Sequence, residues 1–311
     1  MEAILDFFTG PLKTVAWIYI LLPCVMIGGI FFTVRNRGIQ FGKFGYAMKH
    51  TLGKLFQKQS AETGAVTPFQ AVTTALAATV GTGNIIGTGQ AIAMGGYGAI
   101  FWLWIAALLG MIIKYCEVTL SVRYREKNEK GDWVGGPMYY ITNGMGKKWK
   151  WLAVLFAILA VPASFGIGNL SQANSISASV LGAITSFFPQ AIQADTTISL
   201  AVDIILAVVC AVSFLGGIKR IGKITELLVP FMSIFYILCA LTVIGVNIGN
   251  IGEAFKNIFV GTTTSLEVVW NLTDTFNGLM AIPNFVALFA LSGVVARLTK
   301  EHFAKNTHRL K

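Results

Sequence analysis

Thr63–Ile113 reads TGAVTPFQAVTTALAATVGTGNIIGTGQAIAMGGYGAIFWLWIAALLGMII, without one charged residue. A helix that crosses a bilayer needs about 20 apolar residues, so this stretch has room for two spans and a turn. Thr14–Val34 is a second uncharged run of spanning length. In hydrocarbon only helices and closed barrels satisfy their own backbone, and runs this long belong to helices. The composition agrees. Of 311 residues, 55% are hydrophobic and 12% charged, where soluble domains carry roughly 25% charged residues. Mean hydropathy is +0.68. So few charges could not cover the outside of a soluble domain. A disordered chain, a disulfide scaffold and a soluble enzyme are excluded. What remains is an all-α polytopic membrane protein, expected as a single transmembrane domain over residues 1–311.

The net charge of +10 would suit a nucleic-acid binder in a soluble chain. Here the basic residues fall between apolar runs, so a lipid bilayer is the expected partner and nucleic acid is not. The apolar runs predict helices at 14–34, 66–93, 98–124, 151–182, 197–217, 226–249 and 267–296. Between the first two lie Arg35, Arg37, Lys43, Lys49, Lys54 and Lys58. Between the third and fourth lie Arg123, Arg125, Lys127, Lys130, Lys147, Lys148 and Lys150. Lys219, Arg220 and Lys223 follow the fifth, and Arg297, Lys300, Lys305, Arg309 and Lys311 follow the last. If about seven helices alternate, 21 of the 24 basic residues share one side. The positive-inside rule then places the N-terminus outside and the basic tail, 297–311, in the cytoplasm of a cell whose inner (plasma) membrane holds the chain. The opening MEAILDFFTG is acidic, unlike the basic start of a cleavable signal peptide. Cys24, Cys116, Cys210 and Cys239 all lie in apolar stretches and read as small buried hydrophobes. The aromatic segment 131–146 is expected at the cytoplasmic interface.

Thr79-Val80-Gly81-Thr82-Gly83-Asn84-Ile85-Ile86-Gly87-Thr88-Gly89 sits in the middle of the second span. Glycine lets the backbone leave the helix. Unwinding bares carbonyls that can ligate a cation and amides that attract a carboxylate. The competing reading is a packing face, since Gly83 and Gly87 form GxxxG; the clustered threonines and asparagine favour a broken helix. A nucleotide-binding glycine loop is excluded because no strand precedes the run. In the fourth span Ser164, Gly168, Gln172, Ser175 and Ser179 are spaced to share one helix face, with Asn169 and Asn174 beside it. Interhelical packing alone would also explain that face.

Ionisable residues inside spans are candidates for function. Lys114 and Glu117, three apart, are expected to pair. Asp203 stands alone in the fifth span. Glu226 is expected in the first turn of the sixth, where its charge suits the helix dipole. Asp274 lies near Asn271, Thr273 and Asn277 in the last. No Ser-His-Asp set and no metal-ligand spacing can be assembled, which argues against an enzyme and against a bound metal.

Gly95-Gly96-Tyr97-Gly98-Ala99-Ile100-Phe101-Trp102-Leu103-Trp104, followed by Gly110, resembles the signature of the alanine or glycine:cation symporter family, with Leu103 where Met is usual. ALAATVGTGNIIG, KYCEV, GGPMYYI, GGIKRIGKITELLVPFM and VWNLTDTFNGLMAIPN are also similar to that family. The resemblance implies sodium-coupled symport of alanine or glycine, with sodium as coupling ion and no other cofactor. It implies the inverted-repeat fold of sodium-coupled amino-acid transporters. Residues 66–249 would be the first five-helix repeat, with extra helices at 14–34 and 267–296. The main-chain oxygens of Ala77 and Val80 would face one sodium site, and Thr79 and Asn84 a second. Gly81, Thr82 and Gly83 would hold the substrate carboxylate; Asn169 and Gln172 would face the substrate. Near Thr262–Ser265 the chain jumps to what resembles the family's final helix, so the second repeat's broken helix is expected to be missing. The alternative is therefore a non-transporting shortened remnant, or a gene-model product. A homo-oligomer that rebuilds the site is the remaining partner reading.

Overall fold

The computed structural model describes residues 11–12, 14–51, 67–81, 83–129, 131–166, 170–189, 195–215, 217–261 and 272–308. In chain order its helices are α1 (Val15–Arg35), whose first seven residues are π-wound, and α2 (Phe44–Thr51). Next come α3 (Pro68–Thr79), α4 (Gly83–Gly87, π-wound, then Thr88–Gly95) and α5 (Gly98–Arg123). A hairpin of β1 (Glu126–Lys127) and β2 (Trp133–Val134) pairs Glu126 with Val134 and Lys127 with Trp133. It leads to α6 (Pro137–Tyr140, then a π-wound turn at Ile141–Met145) and α7 (Lys150–Phe165). The rest are α8 (Ser171–Phe187), α9 (Asp195–Phe214), α10 (Gly217–Val246), α11 (Ile251–Val260), α12 (Leu272–Ala290) and α13 (Ser292–His308).

Among the described residues five helices are long and apolar enough to cross a bilayer: Val15–Arg35, Gly98–Arg123, Lys147–Phe165, Thr196–Phe214 and Arg220–Val246. The pair Leu279–Ala290 and Ser292–Ala304, bent by 59°, makes a sixth. This is a multi-pass, all-α membrane protein. The stretch 66–93, expected as one span, is divided at Val80 into two shorter helices.

The chain forms two compact units. The first comprises Met1–Phe56, Trp102–Ile167 and Val269–Lys311. Its core is Phe32, Ile112, Cys116, Leu120, Tyr140, Ile141, Leu152, Phe156, Leu288 and Val295. The helices expected as extras at the two ends meet here: α12 packs on α7 and on α1. α1 allows that approach through Gly28 and Gly29, which face Phe285 and Leu109. It stops where Arg37 and Gly38 take φ of 56° and 62°. Lys114 and Glu117 pair at 3.1 Å, as expected.

Tyr140 lies in the aromatic segment 131–146. It is fully buried, and its O–H donates to Asn284 Oδ1. Burial, and then the Glu117 carboxylate, push its phenol above the usual range, so it stays a donor.

The second unit comprises Gln57–Phe101 and Gly168–Val268. In it α3 packs along α10, α8 on α9 and α9 on α10. The fourth span is described on either side of residues 167–169, which lie outside the described residues: α7 runs to Phe165 with Gly166 π-wound, and Leu170, also π-wound, leads into α8 at Ser171. Of the expected polar face, Ser164 lies on α7 and Gln172, Ser175 and Ser179 on α8, while Gly168 lies outside the described residues. The sixth helix begins at Gly217, so Glu226 is its tenth residue rather than a first-turn dipole partner, and it accepts from Gln70 Nε2 at 2.9 Å. Asp203 is not alone; the buried Ser177 hydroxyl donates to it. Between the expected sixth and seventh helices lies the amphipathic α11, where Phe259 meets Phe101 edge-on. Asn271 lies outside the described residues. The expected junction at Thr262–Ser265 does too.

Candidate ion and substrate site

α3 starts with a complete capping box. Thr67 Oγ1 accepts from Gln70 N at 3.1 Å, and Gln70 Oε1 accepts from Thr67 N at 3.2 Å. Pro68 at the first helical position needs no partner for an amide it lacks. The helix ends after Thr79, where Val80 takes φ −92° and ψ 88° while its N–H still bonds to Leu76 O at 2.7 Å. Helical structure resumes at Gly83. The expected break is therefore present. A helix end leaves four carbonyls without intrahelical partners and a helix start leaves four amides. Ala77, Thr79 and Val80 thus stand at a C-terminal, oxygen-rich end.

Two of the expected substrate residues come together at this break. Gln172, second residue of α8, lays its amide against Gly81: a Cβ at Gly81 would stand 2.8 Å from Gln172 Nε2 and 3.1 Å from Oε1. Only glycine leaves that space open to the amide. A Cβ at Gly83 would meet nothing within 4 Å among the described residues. Asn84 N donates to Gly81 O at 3.1 Å, and Thr88 Oγ1 donates to Asn84 O at 2.7 Å. The Thr79 hydroxyl donates to Ala75 O at 2.7 Å, keeping its lone pairs for a cation. Thr82 and Asn169 lie outside the described residues.

Three contacts in the same unit were not read from the sequence: Gln70 with Glu226, Thr74 with Thr225 at 3.1 Å, and Ser177 with Asp203. Thr-Pro-Phe-Gln at 67–70 carries the spacing of a capping box and was a usable signal for the start of α3. Nothing in the sequence pointed to the partner on α10.

The profile of the sodium:alanine symporter family matches residues 1–260 and 257–311. The chain belongs to the sodium:alanine symporter family. It is 41% identical over 245 residues to the sodium/alanine symporter AgcS of Methanococcus maripaludis, covering 78% of this chain and 51% of AgcS. It is 39% identical over 239 residues to the amino-acid carrier protein AlsT of Bacillus subtilis, covering 75% of this chain and 47% of AlsT. The chain spans about half the length of the curated relatives it matches. The family is one of transporters rather than enzymes, and the broken α3–α4 pair falls inside the longer matched stretch.

Proposed function

We propose that this chain carries one half-site of a sodium-coupled symporter for a small neutral amino acid, alanine or glycine, in the cytoplasmic membrane. The observation that carries this reading is the helix break at Val80–Gly81 with the Gln172 amide laid against it, in a member of a symporter family. Sodium takes the main-chain oxygens of Ala77 and Val80 with help from Thr79 and Asn84. The substrate carboxylate takes the amides of Gly81, Thr82 and Gly83 at the half-helix start, where the dipole favours an anion. Asn169 and Gln172 face the rest of the substrate. Small residues around the break suit a small side chain. The ion and the zwitterion lie close enough for each charge to favour the other.

A chimera tests this. Residues 66–249 replace the matching part of AgcS, and alanine and glycine uptake is measured in vesicles with and without a sodium gradient. Sodium-driven uptake of either is expected, falling to background with Gly81→Leu, whose side chain takes the place of the Gln172 amide. A chimera that reaches the membrane at AgcS levels and carries neither substrate overturns the reading.

The second reading is a form that does not transport by itself. It is favoured by the two family matches, which meet at residues 257–260, and by the half-length coverage of the relatives.

The basic clusters support an external N-terminus and a cytoplasmic C-terminus. A topology reporter in the loop at Gly131 should read cytoplasmic and one at Gln190 external. Reversal, or both on one side, sinks that orientation.

A further inference from the structure

We propose that Glu226 is a positioning residue: it holds the Gln70 amide in the one orientation that closes the capping box of α3, and so sets where α3 delivers its last carbonyls. That those carbonyls ligate sodium rests on the function proposed above; the positioning itself does not.

Gln70 uses both ends of one amide. Its Nε2 donates to Glu226 Oε2 at 2.9 Å, while its Oε1 accepts from Thr67 N at 3.2 Å. An ionised carboxylate can only accept. Facing Glu226, Gln70 must therefore present its NH2 group and leave its oxygen for the Thr67 amide. The reverse flip would set NH2 against N–H and oxygen against oxygen, losing both bonds.

One turn further along the same face, Thr74 Oγ1 meets Thr225 Oγ1 at 3.1 Å. Gly222 lies one turn before Glu226 and keeps α10 close: a Cβ there would be 3.6 Å from Gln70 Cβ. Thr73, beside these contacts, is 2% exposed and donates to Gln70 O at 3.2 Å.

Two bonds at i and i+4 fix both the rotation of α3 about its axis and its height along α10. Apolar packing alone would fix neither, because it is nondirectional. α3 has 12 residues, about 18 Å at 1.5 Å per residue. Its free end is the break at Val80. A rotation error at Gln70 is carried rigidly to that end and re-aims the carbonyls of Ala77 and Val80. A carboxylate inside a span is costly unless hydrogen-bonded; at this position it dictates an amide's orientation.

Amide hydrogen exchange on the purified 311-residue chain in detergent, without substrate or sodium, reads the effect directly. Glu226→Met keeps the bulk and removes the acceptor; Glu226→Gln keeps an acceptor. With Glu226→Met, exchange at the Thr67 and Gln70 amides should rise about tenfold, the worth of one net hydrogen bond. Rates in α7 should not change. Glu226→Gln should exchange at wild-type rates. Gln70→Met should match Glu226→Met, and the double variant should be no worse than either single one, because all three break one connected set. Wild-type rates in Glu226→Met overturn the proposal. Equal loss in Glu226→Gln, additive effects in the double variant, or a uniform rise that includes α7 do so as well. The test needs no ion, so failure of the symport reading would appear in the AgcS chimera and not here.

Discussion

Proteoliposomes containing the 311-residue chain alone take up no alanine on an inward sodium gradient, while AgcS reconstituted in parallel does. This is the largest effect expected, and it follows from counting ligands. In inverted-repeat transporters the two broken helices face each other, and each supplies part of the ion and substrate shell. The reading proposed here assigns this chain Ala77, Thr79, Val80 and Asn84 on one side. The facing half would come from the part of the relatives that the chain does not match, about half of their length. A bond to a charged group is worth about 1.5–3 kcal/mol net. Two missing ligands therefore lower affinity by about two to four orders of magnitude. On the same proposal the substrate would also lose its second wall, and alternating access the partner against which a first repeat would rock. Sodium-driven uptake by the short chain, abolished by its own Gly81→Leu, would sink this expectation and point to two copies rebuilding one site.

Gly29→Val should unfold the first unit far below the melting temperature of the wild type. A single Cβ at Gly29 would stand 2.5 Å from Leu109 Cβ and 3.1 Å from its Cα. That contact is with backbone and a helix-borne Cβ, neither of which can swing aside. Next to it, Gly28 would meet Phe285 and Phe289 at 3.1 and 3.3 Å. Phe289 is itself stacked on Phe32 with ring centroids 5.1 Å apart. α1 is therefore held from both α5 and α12 through two adjacent glycines. Small residues let helix backbones approach closely in a bilayer, where lipid tails give no hydrophobic preference for one helix over another. Overpacking a filled core by one methylene costs about 1–3 kcal/mol, and valine adds more than one. Thermal unfolding in detergent should show a stepwise fall from Gly29 to Ala to Val. Gly45→Ala is the control, since a Cβ there meets nothing within 4 Å. Equal melting temperatures for Gly29→Val and Gly45→Ala would refute the close α1–α5 approach.

Much of the architecture could be read from the chain alone. Hydropathy decides solvent for each segment, so the long apolar runs declared a multi-pass helical protein before any contact was known. Glycine and threonine act on their own backbone, so the break near Val80 was legible in Thr79–Asn84. Lys114 and Glu117 are three apart on one helix, and their pairing follows from helical geometry. The symporter motifs are local strings and could be matched as such.

Partners across the fold were not legible. Gln172 lies against Gly81, Glu226 takes a hydrogen bond from Gln70 across 156 residues, and Tyr140 reaches Asn284 across 144. Asp203, which looked isolated, accepts from Ser177 on a neighbouring helix. α1 and α12, from opposite ends of the chain, share one core. The sequence by itself determined which segments enter the membrane and where one helix must break, because those are properties of each segment and its own backbone. Only the tertiary structure decided which helix faces which: periodicity names a polar face but not the face opposite, and in hydrocarbon that choice rests on close glycine contacts and single hydrogen bonds between distant residues.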